Sequence, residues 1–170
     1  MAVSDPMAQA IWQTLAPLSD PEIPVVSLRD MGILRDVRLV GTQWQVVITP
    51  TYSGCPAMDQ IEADVQQALH QAGLDAQVVT QLAPAWTTDW MTPNAHQQLR
   101  DYGIAPPCTS AQDADTHTLR FVRPRAPASV ACPRCESTHT TEVSHFGSTA
   151  CKALYKCLAC LEPFDQFKPH

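Results

Sequence analysis

Two cysteine pairs of identical spacing, Cys132-Pro133-Arg134-Cys135 and Cys157-Leu158-Ala159-Cys160, are the densest chemistry in this 170-residue chain, and 21 residues separate them. Paired C-x-x-C units at that separation are the spacing of a structural metal site, not of a disulfide framework. Four thiolates close a tetrahedral shell around Zn²⁺ with no open position, so the ion supplies folding energy to a segment too small to build a core. Mononuclear iron takes the same ligands, and zinc is the expected occupant because the shell is closed. Cys151 falls six positions before Cys157 and breaks the paired spacing, so it is expected outside the shell. Cys108 has no partner at metal spacing and is expected to be bland.

A different thiol stands apart from this group. Cys55 ends the stretch Thr49-Pro50-Thr51-Tyr52-Ser53-Gly54 and precedes Pro56. The apolar alternation of Trp44, Val46 and Ile48 reads as a strand stopping at Pro50, while Met58, Ile61, Val65, Ala68 and Leu69 recur at helical spacing up to Gly73. With Pro56 in the first helical position, Cys55 is predicted at the N-cap, where the macrodipole and exposed N–H groups stabilise a thiolate. The plainer reading makes it a small buried cap residue. Asp20 and Glu22, in Asp20-Pro21-Glu22-Ile23-Pro24, read either as a paired-carboxylate site or as helix-terminus or solvent groups of a stiff, proline-rich connection. No serine-histidine-acid triad, phosphate loop or dinucleotide fingerprint is present, and the six histidines are scattered.

The elements that must position these groups follow from pattern. Asp5-Pro6 starts a helix whose apolar face is Met7, Ile11, Leu15 and Leu18. A short turn over Val26 to Gly32 precedes two strands, Ile33 to Val40 and Gln43 to Thr49, joined at Gly41-Thr42. The helix after Cys55 and a third strand over Asp75 to Leu82 complete an α-β-β-α-β core. The fold class is therefore α+β, a small mixed sheet with helices on one face, followed by a C-terminal four-cysteine zinc ribbon. Trp86 and Trp90 sit in a proline-bounded loop that reads either as a recognition surface or, the commoner fate of such residues, as packed over the core, and Thr92-Pro93 restarts a helix ending near Gly103. Ile104-Ala105-Pro106-Pro107 and the polar run Thr109 to Thr118 cannot build a core alone, and Leu119 to Val122 reads as a short strand. The domain plan is residues 1–122, a proline-containing linker 123–129, and a ribbon 130–170 with strands around Val143 and Ala153-Leu154-Tyr155.

Charge narrows the partners. The net charge is −6, and the acidic excess lies before Val130, with 13 acids against 7 bases. That balance argues against nucleic acid, since phosphate-binding proteins carry a basic stripe. No leader pattern opens the chain and no apolar run reaches membrane-span length, so the expectation is a cytoplasmic protein without a membrane partner, in a compartment that keeps thiols reduced.

Asp20-Pro21-Glu22-Ile23-Pro24 followed by Thr49 to Pro56 resembles the family of small iron-sulfur assembly factors of the SufT type. The C-terminal pairs, the segment Phe146 to Tyr155 and Cys157 to Phe164 narrow the resemblance to the accessory proteins of the phenylacetyl-CoA epoxidase system. The resemblance implies an assembly domain in which Cys55 handles iron or a transient iron-sulfur cluster, with Cys151, Asp20 and Glu22 as candidate helpers, joined to a zinc ribbon. It implies as clients the reductase, with a 2Fe-2S cluster and flavin, and the di-iron oxygenase component. One thiol cannot supply the four ligands of a cluster. Two copies of Cys55 in a homodimer, Cys151, or a small-molecule thiol would make up the number, or the chain never holds a complete cluster. The expected docking face is Lys152, Tyr155 and Phe164. Two other readings compete: a docking module that stabilises one of the epoxidase components, and a thiol enzyme with Cys55 as nucleophile, against which the absence of a neighbouring base weighs.

Overall fold

The structure is a computed structural model that describes residues 5–52, 54–107 and 130–169. Cys108, the Leu119 to Val122 strand and the 123–129 linker lie outside the described residues. The chain divides into two compact units between Tyr102 and Gly103.

In the first unit, Asp5 accepts the Met7 N–H at 2.8 Å and caps α1 (Pro6–Leu15), with Pro6 in the first helical turn. The buried face of α1 is Ala8, Ile11 and Leu15, while Met7, in the first turn of the helix, stays 41% exposed. Strands β1 (Leu34–Val40) and β2 (Gln43–Ile48) form the antiparallel hairpin expected from Gly41-Thr42. After α2 (Met58–Gln71), β3 (Ala76–Thr80) pairs parallel to β2, giving the order β1-β2-β3. A parallel return needs a crossover helix, and α2 is that crossover. Helices α1 and α2 pack on each other and on the sheet, burying Ile61, Val65 and Leu69 with Val37, Val46, Ile48 and Val78.

The Val26 to Gly32 segment is a single turn closed by the Met31 N–H to Ser27 carbonyl bond (2.9 Å), and Gly32 reverses the chain at φ +77°. Trp86 is buried over this turn and donates its Nε1–H to the Met31 carbonyl at 3.1 Å. Arg35 lies over the Trp90 ring, 3.4 Å from its centroid. A 3₁₀ turn (Thr88–Trp90) leads to α3 (Pro93–Tyr102), where the Thr92 hydroxyl accepts the Ala95 N–H and donates to Asp30 at 2.7 Å.

The second unit is a four-stranded sheet ordered β4-β7-β6-β5, built from Ile104–Ala105, Pro163–Phe167, Lys152–Cys157 and Thr140–Ser144 respectively. Ile104 and Ala105, which carry no strand signal of their own, pair parallel with Asp165 and Gln166. They are ordered by the partner strand and not by local propensity. Ala105, Val130, Cys132, Cys157 and Phe164 form this unit's buried cluster, with Tyr155 stacked on Phe164 at 5.8 Å between ring centroids.

Candidate metal centre and assembly-domain thiol

The two cysteine pairs fold as two copies of one turn. Cys132 donates its N–H to the Ser137 carbonyl (3.0 Å) and Cys157 donates to the Glu162 carbonyl (2.9 Å), five residues ahead in both cases. The residue after the second cysteine, Glu136 or Leu161, has a left-handed backbone at φ 60° and 66°. Each turn presents both of its thiols on one side. The strand pairing of Thr140 with Cys157 brings the turns face to face, and the four Sγ atoms lie within 4.8 Å of one another.

The spacing fits a single ion. Cys132 and Cys160 are 3.8 Å apart between sulfurs, and Cys135 and Cys157 are 3.5 Å apart. A tetrahedron with metal–sulfur bonds of about 2.3 Å has edges of about 3.8 Å. The Cys160 backbone N–H, 3.5 Å from the Cys157 sulfur, and that of Ala159 hold the Cys157 thiol down to about 6. The Ser137 backbone favours the Cys135 thiolate, yet the neighbouring thiols of Cys157, Cys160 and Cys132 push Cys135 up to about 12. Such a crowd of sulfurs cannot all ionise unless a cation compensates them, which is what a metal ion would do. Cys151, only 5% exposed, sits outside this group, its sulfur 3.0 Å from the Thr149 hydroxyl.

Cys55 belongs to the other unit. It is half-buried, but it is not the N-cap: that position falls on Ala57, and no side chain caps α2. The Cys55 carbonyl accepts the Met58 N–H at 3.2 Å, and its own N–H reaches the Tyr52 carbonyl at 3.3 Å. Pro56 thus occupies the second position of a turn that feeds the helix, instead of the helix's first residue. Proline's fixed φ suits both places, so the local pattern cannot separate them. The N-cap argument for a stabilised thiolate does not carry over to this geometry.

Asp20 is 8% exposed and its Oδ1 accepts the N–H groups of Glu22 (2.8 Å) and Ile23 (3.0 Å). Its backbone N–H donates to the Val26 carbonyl at 3.1 Å, so Asp20 organises the proline-containing turn from within. Glu22 lies half-buried on that turn.

Comparison with known proteins extends these observations. An Escherichia coli (strain K12) protein named as a component of a "Putative 1,2-phenylacetyl-CoA epoxidase" is 48% identical over 167 residues, covering 98% of this chain and 95% of the relative. The chain belongs to the PaaD family. Residues 116–168 match the family model described as the PaaD zinc beta ribbon domain, which contains all four clustered cysteines. Residues 8–80 match the model of iron-sulfur cluster assembly proteins, and this span holds Asp20, Glu22 and Cys55. The crystal structure of a domain of unknown function, DUF59, from Bacillus anthracis is similar at a TM-score of 0.50 and 25% identity, covering 55% of this chain and 91% of that one.

In this PaaD-family ribbon the expected docking face needs correction. Lys152 and Phe164 are each 5% exposed. Phe164 fills the core beside Cys132 and Cys157, and Lys152 turns its ammonium to within 3.9 Å of Asp165. Only Tyr155 remains half-exposed, donating its hydroxyl to Glu142 at 3.1 Å. Alternation places Lys152 on an outward face, but the Gly147 to Cys151 loop folds over that end of the strand, with Gly147 donating to the Lys152 carbonyl at 2.7 Å. Among the described ribbon residues, the large apolar side chains that stay exposed are Val143, Phe146, Leu158 and Leu161.

Proposed function

We propose that this chain is a maturation factor of a phenylacetyl-CoA epoxidase, acting on iron or iron-sulfur species on their way to that enzyme, most directly to its reductase component. The observation that carries the reading is the fusion, in one chain of the PaaD family, of an iron-sulfur assembly domain with a four-thiol ribbon. The two thiol systems are then divided in labour. The ribbon cysteines Cys132, Cys135, Cys157 and Cys160 hold one Zn²⁺ whose closed shell leaves nothing to react, and the ion maintains the ribbon's fold.

Among the described residues, Cys55 is the partly exposed thiol outside the ribbon's four, and it is the one assigned to exchange. Half-exposure admits a soft iron-sulfide species, which the Cys55 thiolate binds through one iron as its proton leaves to solvent. Transfer is ligand exchange: a client cysteine thiolate bonds the iron as the Cys55–iron bond breaks, with no change in oxidation state. Asp20 fixes its own turn, and Glu22 is the carboxylate of the pair with a half-exposed side chain. Among the described residues no helix is long and apolar enough to cross a membrane.

Co-expression of the reductase with wild type and with Cys55→Ala tests the transfer role. Loss of most of the reductase's cluster absorbance in the variant is the expected result. A full cluster complement would overturn it and leave the docking reading.

A further inference from the structure

We propose that the open edge of β1 is a self-recognition surface, on which a second copy of this chain adds its own β1 antiparallel about Val37. This inference does not depend on the transfer role of Cys55. Strand β1 is the outermost strand of its sheet, and beyond Leu34, whose N–H is taken by the Leu28 carbonyl at 3.0 Å, one side of its backbone faces away from β2. Pairing alternates along the hairpin, and at Val37 the N–H is not in the ladder: it donates to the Asp36 Oδ1 at 2.9 Å. Val37 therefore directs its donor and acceptor toward the open edge, as an antiparallel partner requires.

The sequence around that point is complementary to itself. In Leu34-Arg35-Asp36-Val37-Arg38-Leu39-Val40, an antiparallel copy registered Val37 to Val37 sets Asp36 opposite Arg38 and Arg38 opposite Asp36. Both residues lie on the outward face, since Leu34 and Val37 are the buried positions and the register shifts between Leu34 and Asp36. Two opposite-charge cross-strand pairs form on one face of the joint. The same register sets Leu39, 51% exposed, against Arg35, which rests on the Trp90 ring. Slipping the register by one residue in either direction removes the paired match between Asp36 and Arg38.

Asp36 also controls access. In the single chain its carboxylate occupies the Val37 N–H, a local guard on an edge that would otherwise pair indiscriminately. A matching strand offers Arg38 to that carboxylate and a backbone carbonyl to the released N–H, so a partner without the cation at that register leaves the guard in place.

The full-length protein serves for the test, by sedimentation equilibrium on wild type, Asp36→Arg, Arg38→Asp and the double swap. Each single swap sets like charges opposite one another twice and is expected to weaken the dimer about tenfold, and the double swap to restore it. Circular dichroism checks that each variant is folded. Amide exchange of wild type gives a measurement independent of substitution: the Val37 and Leu39 N–H groups should slow as concentration rises. A wild type that stays monomeric, a dimer indifferent to the single swaps, a double swap no better than either single, or exchange at Val37 and Leu39 independent of concentration would each overturn the proposal.

Discussion

Glu136 and Leu161 occupy equivalent places in two copies of one turn, each directly after the second cysteine of its pair and each with a left-handed backbone, φ 60° and 66°. An L side chain there costs roughly 1–2 kcal/mol, and glycine removes that cost while losing about 0.5–1 kcal/mol to backbone entropy. Leu161 is 65% exposed, so little burial is forfeited. Glu136→Gly and Leu161→Gly are each expected to stabilise the metal-loaded ribbon by about 0.5–1 kcal/mol, read from chelator-resistant thermal unfolding. Destabilisation by both would show that the turns are held by their side chains and not by the cysteine geometry.

Gly32 presents the opposite case, because here both conformation and space demand glycine. Its φ is +77°, and an added Cβ would stand 2.8 Å from the Trp90 carbonyl oxygen and 2.9 Å from the Trp90 Cβ. Backbone is what it meets, so relief requires moving the tryptophan loop off the Val26 to Gly32 turn. Gly32→Ala should cost about 2–4 kcal/mol in denaturant unfolding. A cost below about 0.5 kcal/mol would mean that the loop yields freely.

Asp30 ties that turn to α3 and gives the fold an acid sensitivity. Burial works to raise its carboxyl, but hydrogen bonds from Thr92 (2.7 Å), Ser27 (2.8 Å) and Asn94 (3.2 Å), with the charge of Arg29, outweigh burial and hold it below the ordinary value of 3.8. A carboxyl depressed in the folded state binds fewer protons there than in the unfolded chain. Its contribution is present above the unfolded value and is lost as pH falls through the folded one. Asp30→Ala is therefore expected to destabilise at pH 7, by about 2 kcal/mol for the lost charged hydrogen bonds. The gap from wild type should close as pH falls below about 4. Urea unfolding of both proteins across that range measures it; a gap that widens on acidification would contradict the network.

The sequence is readable where a pattern is local and repeated. The hairpin, the crossover helix and the two cysteine pairs rest on period-2 and period-3.6 spacing or on fixed C-x-x-C distances, and all appear in the structure. What escapes such a reading depends on distant partners or on residues that carry no conformational label. Asp30 meets Thr92 across 62 positions, and Ile104 becomes a strand only because Asp165 lies beside it. The two left-handed turns are occupied by glutamate and leucine, so the usual glycine signal is missing. Cys55 stops short of the N-cap at Ala57, a difference the pattern conceals because Pro56 suits a turn's second position as well as a helix's first. The burial of Lys152 and Phe164 follows from a loop fold and a core that strand alternation cannot reveal.

Cys151 separates spacing from proximity, since it lies near Cys157 in sequence but outside the four-sulfur group. Its sulfur is 3.0 Å from the Thr149 hydroxyl, and its carbonyl accepts the Lys168 N–H at 2.9 Å, so its neighbours are those of a packed strand entrance. Cys151→Ala should keep one metal per chain by elemental analysis and cost about 1 kcal/mol in stability from lost packing. Cys132→Ser should lose the metal and with it the ribbon's cooperative unfolding, because three thiolates leave the shell open. The helical circular dichroism of α1, α2 and α3, which belong to the other unit, should persist in both variants. Metal loss in Cys151→Ala would place that thiol in the shell after all, and retention of a full metal complement in Cys132→Ser would show that the site does not need its four sulfurs.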